Sequence, residues 1–128
     1  MLYVIDTHVL IWYFTGNRRL SEDVRNTIDQ VRQQGGRLLV PTIVLAEALN
    51  IAAKGRVVFD FDLLYQLVLN EPEFEIAEFG VEVFEETLRV SKIPEIHDRI
   101  IVATSLFYGA NLLTKDGVIR SSGEVNIP

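Results

Sequence analysis

Short runs of β-favouring apolar residues, each cut off by a polar residue and followed by a longer apolar stretch, constrain the fold of this chain more than any other feature. Leu2-Tyr3-Val4-Ile5 stops at Asp6-Thr7, and the next run, Val9-Leu10-Ile11-Trp12-Tyr13-Phe14, is too long and unbroken to continue the same strand. The pattern predicts a strand, an acid and then a buried helix. Ser21, followed by Glu22, Asp23 and the Val24, Ile28, Val31 spacing, predicts a capped, one-faced helix that stops at Gly35-Gly36. Arg37-Leu38-Leu39-Val40-Pro41 reads as a second strand, and Thr42 opens an apolar helix that Lys54-Gly55 ends. A helix over Phe61–Leu69, an alternating strand over Phe74–Phe79 and a helical spacing of Val81, Phe84 and Leu88 follow. After the break at Ile93-Pro94, Asp98 is expected to start the most apolar helix, Arg99–Tyr108, which Gly109 closes. Asn111-Leu112-Leu113-Thr114 reads as a strand ending at Lys115-Asp116-Gly117, and Val125-Asn126-Ile127 as a candidate last strand. Strands alternating with helices over the whole length imply right-handed βαβ units. The expected class is α/β, with a central parallel sheet of four to five strands flanked by helices.

A chain of 128 residues with 48% hydrophobic content suits a single domain over 1–128 that buries a sizeable core. The two longest apolar stretches, Val40–Ala53 and Ile100–Leu113, are interrupted by Glu47 and by Thr104, Ser105 and Asn111, so neither supplies the roughly 20 residues of a membrane span. The first residues carry no basic segment and meet an acid at Asp6, unlike a secretory leader; the expected compartment is the cytoplasm. The cysteine count of 0 excludes disulfide scaffolds, thiolate zinc sites and cysteine nucleophiles. Any metal must sit on oxygen or imidazole nitrogen. Twelve basic residues against 18 acidic ones give a net charge of −6, which argues against holding a polyanion on a broadly basic surface. A divalent cation in an acidic cleft would supply positive charge locally, so a nucleic-acid enzyme stays open.

Most acids fall on polar faces or in turns, including the seven between Glu71 and Glu86, which read as a solvated face. Four do not: Asp6, Glu47, Asp98 and Asp116 stand at element boundaries or on apolar faces. Asp6 and Asp98 each suit a helix cap, and Asp116-Gly117 an ordinary turn. Glu47 is harder to dismiss, because Ile43 and Val44 precede it by one helical turn and Ile51 follows it by one, leaving its carboxylate on an apolar face. A buried ion pair is the structural alternative. Asp6 and Asp116 both follow the carboxyl ends of predicted strands, the edge where parallel α/β sheets bind ligands. Four carboxylates gathered there would need a cation, and Mg2+ or Mn2+ suits an all-oxygen set. Such an ion activates water and stabilises the leaving oxygen of a phosphodiester.

Four segments carry a family resemblance: Val4-Ile5-Asp6-Thr7-His8-Val9-Leu10-Ile11-Trp12, Pro41-Thr42-Ile43-Val44-Leu45-Ala46-Glu47, His97-Asp98-Arg99-Ile100-Ile101-Val102-Ala103-Thr104 and Leu112-Leu113-Thr114-Lys115-Asp116. In this order and spacing the chain resembles the PIN domains, in particular the VapC-type ribonuclease toxins of type II toxin–antitoxin pairs. The resemblance implies that Asp6, Glu47, Asp98 and Asp116 are the catalytic, metal-binding acids, with Thr7 and Thr114 lining the site. It further implies a Mg2+- or Mn2+-dependent endoribonuclease that forms a homodimer and is neutralised by a cognate antitoxin protein. Among the basic residues, Arg99 and Lys115 adjoin acids of the quartet and are the candidates for holding RNA; Arg18, Arg19, Lys54, Arg56 and Arg120 read as solvated charge. His8 and His97, each beside an apolar run, read as structural.

Two other functions stay open. A catalytically silent PIN-like module would keep the acids and bind RNA or protein without cleaving. A receiver-type phosphoacceptor domain is similarly short and α/β, but it wants an adjacent acidic pair after the first strand and an acceptor Asp after the middle one. Asp6-Thr7 lacks the pair, and Val40-Pro41-Thr42 lacks the acceptor.

Overall fold

A computed structural model describes residues 1–115, 120, 122–124 and 126–127. Strand β1 (Leu2–Ile5) leads through helices α1 (Thr7–Thr15) and α2 (Glu22–Gln33) to β2 (Arg37–Pro41). Helices α3 (Thr42–Lys54) and α4 (Phe61–Asn70) lead to β3 (Phe74–Ala77), and α5 (Val81–Thr87) and α6 (Ile96–Tyr108) to β4 (Asn111–Leu113). The four strands form one sheet in the order β3-β2-β1-β4, every pairing parallel, with Val4 opposite Leu39 and Leu112, and Val40 opposite Ile76. The fold is the expected α/β single sheet flanked by helices, here six of them among the described residues.

The strands are short and nearly all apolar because helices cover both faces, so no alternation is needed. Val4, Ile5, Leu38, Leu39, Val40, Leu112 and Leu113 are all buried, and Val9, Leu10, Ile11, Val44, Ile101 and Val102 pack the helices onto them. No helix among the described residues is long and apolar enough to cross a membrane. Ser21 caps α2 as predicted, its hydroxyl accepting from the Val24 N–H at 3.2 Å.

One local expectation needs correction. Asp98 does not start the last long helix. Its N-cap is Glu95, whose Oε2 accepts from the Asp98 N–H at 2.8 Å, so Asp98 stands in the first turn. The local signal was ambiguous because Glu95 also precedes an apolar run and Asp is the commoner cap. The Val81, Phe84, Leu88 stripe does lie on a helix, but it faces outward: the three are 72%, 50% and 66% exposed, while Val83 and Thr87 face the core. The acid-rich stretch is also less uniform than expected. Arg32 pairs with Glu71 at 3.4 Å and Glu73 at 3.6 Å, drawing both partly out of water. Of the candidate last strand, Val125 lies outside the described residues, and the Asn126 carbonyl accepts from the Leu112 N–H at 2.9 Å.

The topology has one feature that decides where chemistry can occur. The chain steps outward from β1 to β2 to β3, then crosses back to place β4 on the other side of β1. Crossovers on either side of β1 therefore leave in opposite directions, which opens a crevice at the carboxyl ends of β1 and β4.

Candidate active site

Asp6 and Thr114 are the residues that follow those two strand ends, and they meet across the crevice. Asp6 is only 8% exposed. Its Oδ1 accepts from the Thr7 N–H at 2.6 Å as the N-cap of α1, and its Oδ2 accepts from the Thr114 hydroxyl at 2.5 Å. The cap predicted for Asp6 is real, and the same carboxylate still reaches the crevice. Hydrogen bonds from two donors fix the orientation of this buried carboxylate.

Glu47 arrives from α3. Its Oε1 accepts from the Thr7 hydroxyl at 2.8 Å, so Thr7 donates to Asp6 through its backbone and to Glu47 through its side chain. The alternative of a buried ion pair is absent: among the described residues no cation lies within salt-bridge distance of Glu47. Burial pushes the Glu47 pKa above the ordinary carboxylate value, with the Asp6 charge adding to the rise and the Thr7 hydrogen bond opposing it. The Asp6 charge thus lies close enough to disfavour ionisation of Glu47.

Asp98, in the first turn of α6, also lines the cleft. Asp6, Thr7, Glu47 and Asp98 line one cleft of about 160 Å³ together with His8, Ile51 and Lys115. Three of the four acids named from the sequence are therefore brought together; Asp116 lies outside the described residues. Thr7 lines the cleft and donates to Glu47, Thr114 donates to Asp6 from beside it, and Lys115 lies in the cleft. Arg99 does not line it. Its guanidinium donates to the Thr87 carbonyl at 3.1 Å, tying α6 to the end of α5. Residue 99 adjoins an acid of the set in sequence, but consecutive helical residues point about 100° apart.

Histidine placement also follows from packing. Burial and the nearby Lys115 charge push the His8 pKa below its ordinary value of 6.5, which keeps the imidazole neutral beside the Trp12 ring, 5.6 Å away between centroids. His97 lies within 2.7 Å of Glu95 through Nδ1. Trp12 belongs to the core, 6% exposed, while the Tyr13 hydroxyl donates to Asp29 at 2.7 Å and accepts from Arg32 at 3.0 Å.

Among the described residues no three carboxylates or imidazoles stand close enough to enclose an ion outright. The donor set is nonetheless all oxygen, and Mg2+ typically takes one or two carboxylates, completing its shell with water and substrate phosphate. The Glu47 carboxylate, whose charged form burial disfavours, with Asp6 and Asp98 lining the same cleft, fits such an ion.

A model of the PIN domain family matches residues 3–123. The chain belongs to the PIN domain family. No curated protein matches this PIN domain. Among solved structures it is similar to VapBC2 of Rickettsia felis bound to a DNA fragment from their promoter, with a TM-score of 0.77 at 15% identity, covering 100% of this chain and 98% of that one. It is also similar to FitAcB of Neisseria gonorrhoeae, with a TM-score of 0.66 at 16% identity over 98% and 95% of the two chains. A toxin–antitoxin complex from Klebsiella pneumoniae gives a TM-score of 0.65 at 17% identity over 96% and 94%. At these identities the likeness is one of fold.

Proposed function

We propose that this PIN domain is a Mg2+- or Mn2+-dependent endoribonuclease and the toxin of a type II toxin–antitoxin pair, acting in the cytoplasm. The observation that carries the reading is the shared cleft of Asp6, Glu47 and Asp98 at the crevice beside β1, with two of the acids anchored by one threonine. An array of that kind costs stability without a cation and has no structural task that a single cap would not perform. The ion, when bound, supplies Lewis acidity toward a phosphodiester and lowers the pKa of a coordinated water.

The chain's own groups have separate jobs. Asp6, fixed by the Thr7 N–H and the Thr114 hydroxyl, is the rigid ligand. Glu47, held by the Thr7 hydroxyl and with its pKa raised by burial, would be a second ligand. Asp98 would supply a third carboxylate from the cleft wall, and Asp116 completes the set by its place in the family pattern. Lys115 faces the substrate phosphate. The toxin–antitoxin complexes among the similar structures support an antitoxin partner; RNA as the substrate follows from the family resemblance alone. The outward Val81, Phe84 and Leu88 stripe, extended by Phe79 with its ring 6.5 Å from that of Phe84, supports a homodimer through α5.

The test is cleavage of mixed single-stranded RNA with Mn2+ or with chelator. Wild type should cut only with metal, and Asp6→Asn, Glu47→Gln and Asp98→Asn should each lose more than the roughly 10–100-fold typical of an outer-shell partner. Mn2+ at a hundredfold its Kd should also stabilise wild type by about 2.7 kcal/mol in thermal melts. Metal-independent cutting would end the reading. A folded protein that is stabilised by Mn2+ yet cuts nothing would instead be the silent module.

A further inference from the structure

A second cavity adjoins the acidic cleft on the α2 side. It measures about 350 Å³ and shares Lys115 with the cleft, and Thr114, the residue that holds Asp6, is in its wall. Arg19, Lys115 and Arg120 bring three cationic side chains to it, against one acid, Asp23. Such a concentration is notable in a chain of net charge −6, where the acidic cleft next door would be expected to repel any polyanion.

All three cations are solvent-exposed; Lys115 and Arg120 are held through their side chains and Arg19 through its backbone. Arg19 sits in the turn between α1 and α2, where its N–H donates to the Asn17 side chain at 2.8 Å and the next residue, Leu20, is buried. Lys115 places its Nζ 5.2 Å from the centre of the buried Trp12 ring. Arg120 donates to the Thr114 carbonyl at 3.1 Å, leaving guanidinium donors to spare. Val9, Leu20 and Val24 give the cavity an apolar wall beneath this charged rim.

We infer that this cavity is a subsite for single-stranded RNA, holding the nucleotide next to the one cleaved, with Arg19 and Arg120 on its phosphate and Lys115 spanning the two sites. The inference rests on the ribonuclease reading above and adds to it a substrate path with a direction: strand backbone enters over Arg19 and Arg120 and meets the acids past Lys115. The apolar wall suits the flat, weakly hydrated face of a base, and the cations suit the phosphate that joins it to its neighbour.

The test compares wild type with Arg19→Gln, Arg120→Gln and the double variant. Binding of a short 5′-labelled single-stranded RNA is followed by fluorescence anisotropy in calcium over a range of salt concentrations. Each lost phosphate contact should reduce the slope of log affinity against log salt by about 0.7, and the double variant by about twice that. In cleavage assays the arginine variants should raise KM more than they lower kcat. Stabilisation by Mn2+ should match that of wild type, which separates a lost subsite from a damaged metal site. If wild type cleaves and the double variant keeps wild-type KM and salt slope, the subsite is overturned while the nuclease stands, and these cations are left for a protein partner. If wild type does not cleave, the nuclease reading fails, and the salt slopes still decide whether RNA lies on Arg19 and Arg120.

Discussion

At the scale of single residues, the site depends on hydroxyl groups that donate to carboxylates. Thr7 and Thr114 divide the work: one reaches Asp6 and Glu47 together, and the other ties Asp6 to the strand across the crevice. Replacing Thr114 with Val keeps the shape and removes the donor, leaving a buried carboxylate one partner short. A lost hydrogen bond to a charged group costs about 1.5–3 kcal/mol, and losing the outer-shell partner of a metal ligand typically lowers activity 10–100-fold. Thr114→Val is therefore expected to melt earlier and to cleave RNA more slowly, while Thr114→Ser retains most of both. Melting curves and initial rates of the two variants side by side check this; a Thr114→Val protein with wild-type rates would mean that Asp6 needs no orientation from β4.

Elements are joined at few, tight places. Where α2 turns into β2, the Gly36 N–H donates to the Val31 carbonyl at 2.9 Å, and the chain passes against the first residue of the protein. A Cβ at Gly36 would lie 2.9 Å from the Met1 carbonyl oxygen and 2.9 Å from Val31 Cγ1. That carbonyl cannot simply move away, since it accepts from the Arg37 N–H at 3.0 Å at the start of the β1–β2 pairing. Gly36→Ala should thus cost about 1–3 kcal/mol by overpacking, although its helix-ending role alone would tolerate alanine. Urea unfolding measures the cost, and an unchanged midpoint would show that the β1 start is freer to shift than its hydrogen bonding implies. Sequence reading recognised Gly35-Gly36 as a helix stop, yet the contact with Met1 lies 35 residues away along the chain and leaves no local trace.

For the whole molecule, the question is what covers α5. Its apolar stripe would ordinarily mark a buried face, but Val83, Thr87 and Val90 turn to the core instead and leave Val81, Phe84 and Leu88 to solvent. Under the homodimer proposal a second copy covers them. Phe84→Glu combined with Leu88→Glu should then halve the molar mass measured by light scattering at micromolar concentration. The stability of the isolated fold should change by no more than about 0.5 kcal/mol, because neither side chain is part of the core. A monomeric wild type, or a double variant that stays dimeric, would place the interface elsewhere.

The amino-acid sequence by itself determined the layering and the order of elements. Strand runs, caps and helix stops are signals spread over a few residues, and a chain that alternates them can bury its apolar surface only as a parallel sheet between helices. It also marked Asp6, Glu47 and Asp98 as acids out of place, since a carboxylate at a strand end or on an apolar helix face conflicts with its own neighbours. Only the tertiary structure decided which of the basic residues meet them. Arg99 looked favourable beside Asp98 but is spent on the Thr87 carbonyl, whereas Arg19 and Arg120, solvent-exposed as the sequence suggested, also line one cavity with Lys115. Where a long side chain ends depends on the rotation of its helix and on the path of the crossover, and both are set by packing between residues far apart in the chain. The strand order β3-β2-β1-β4, which brings Asp6 to Thr114, is decided in the same way.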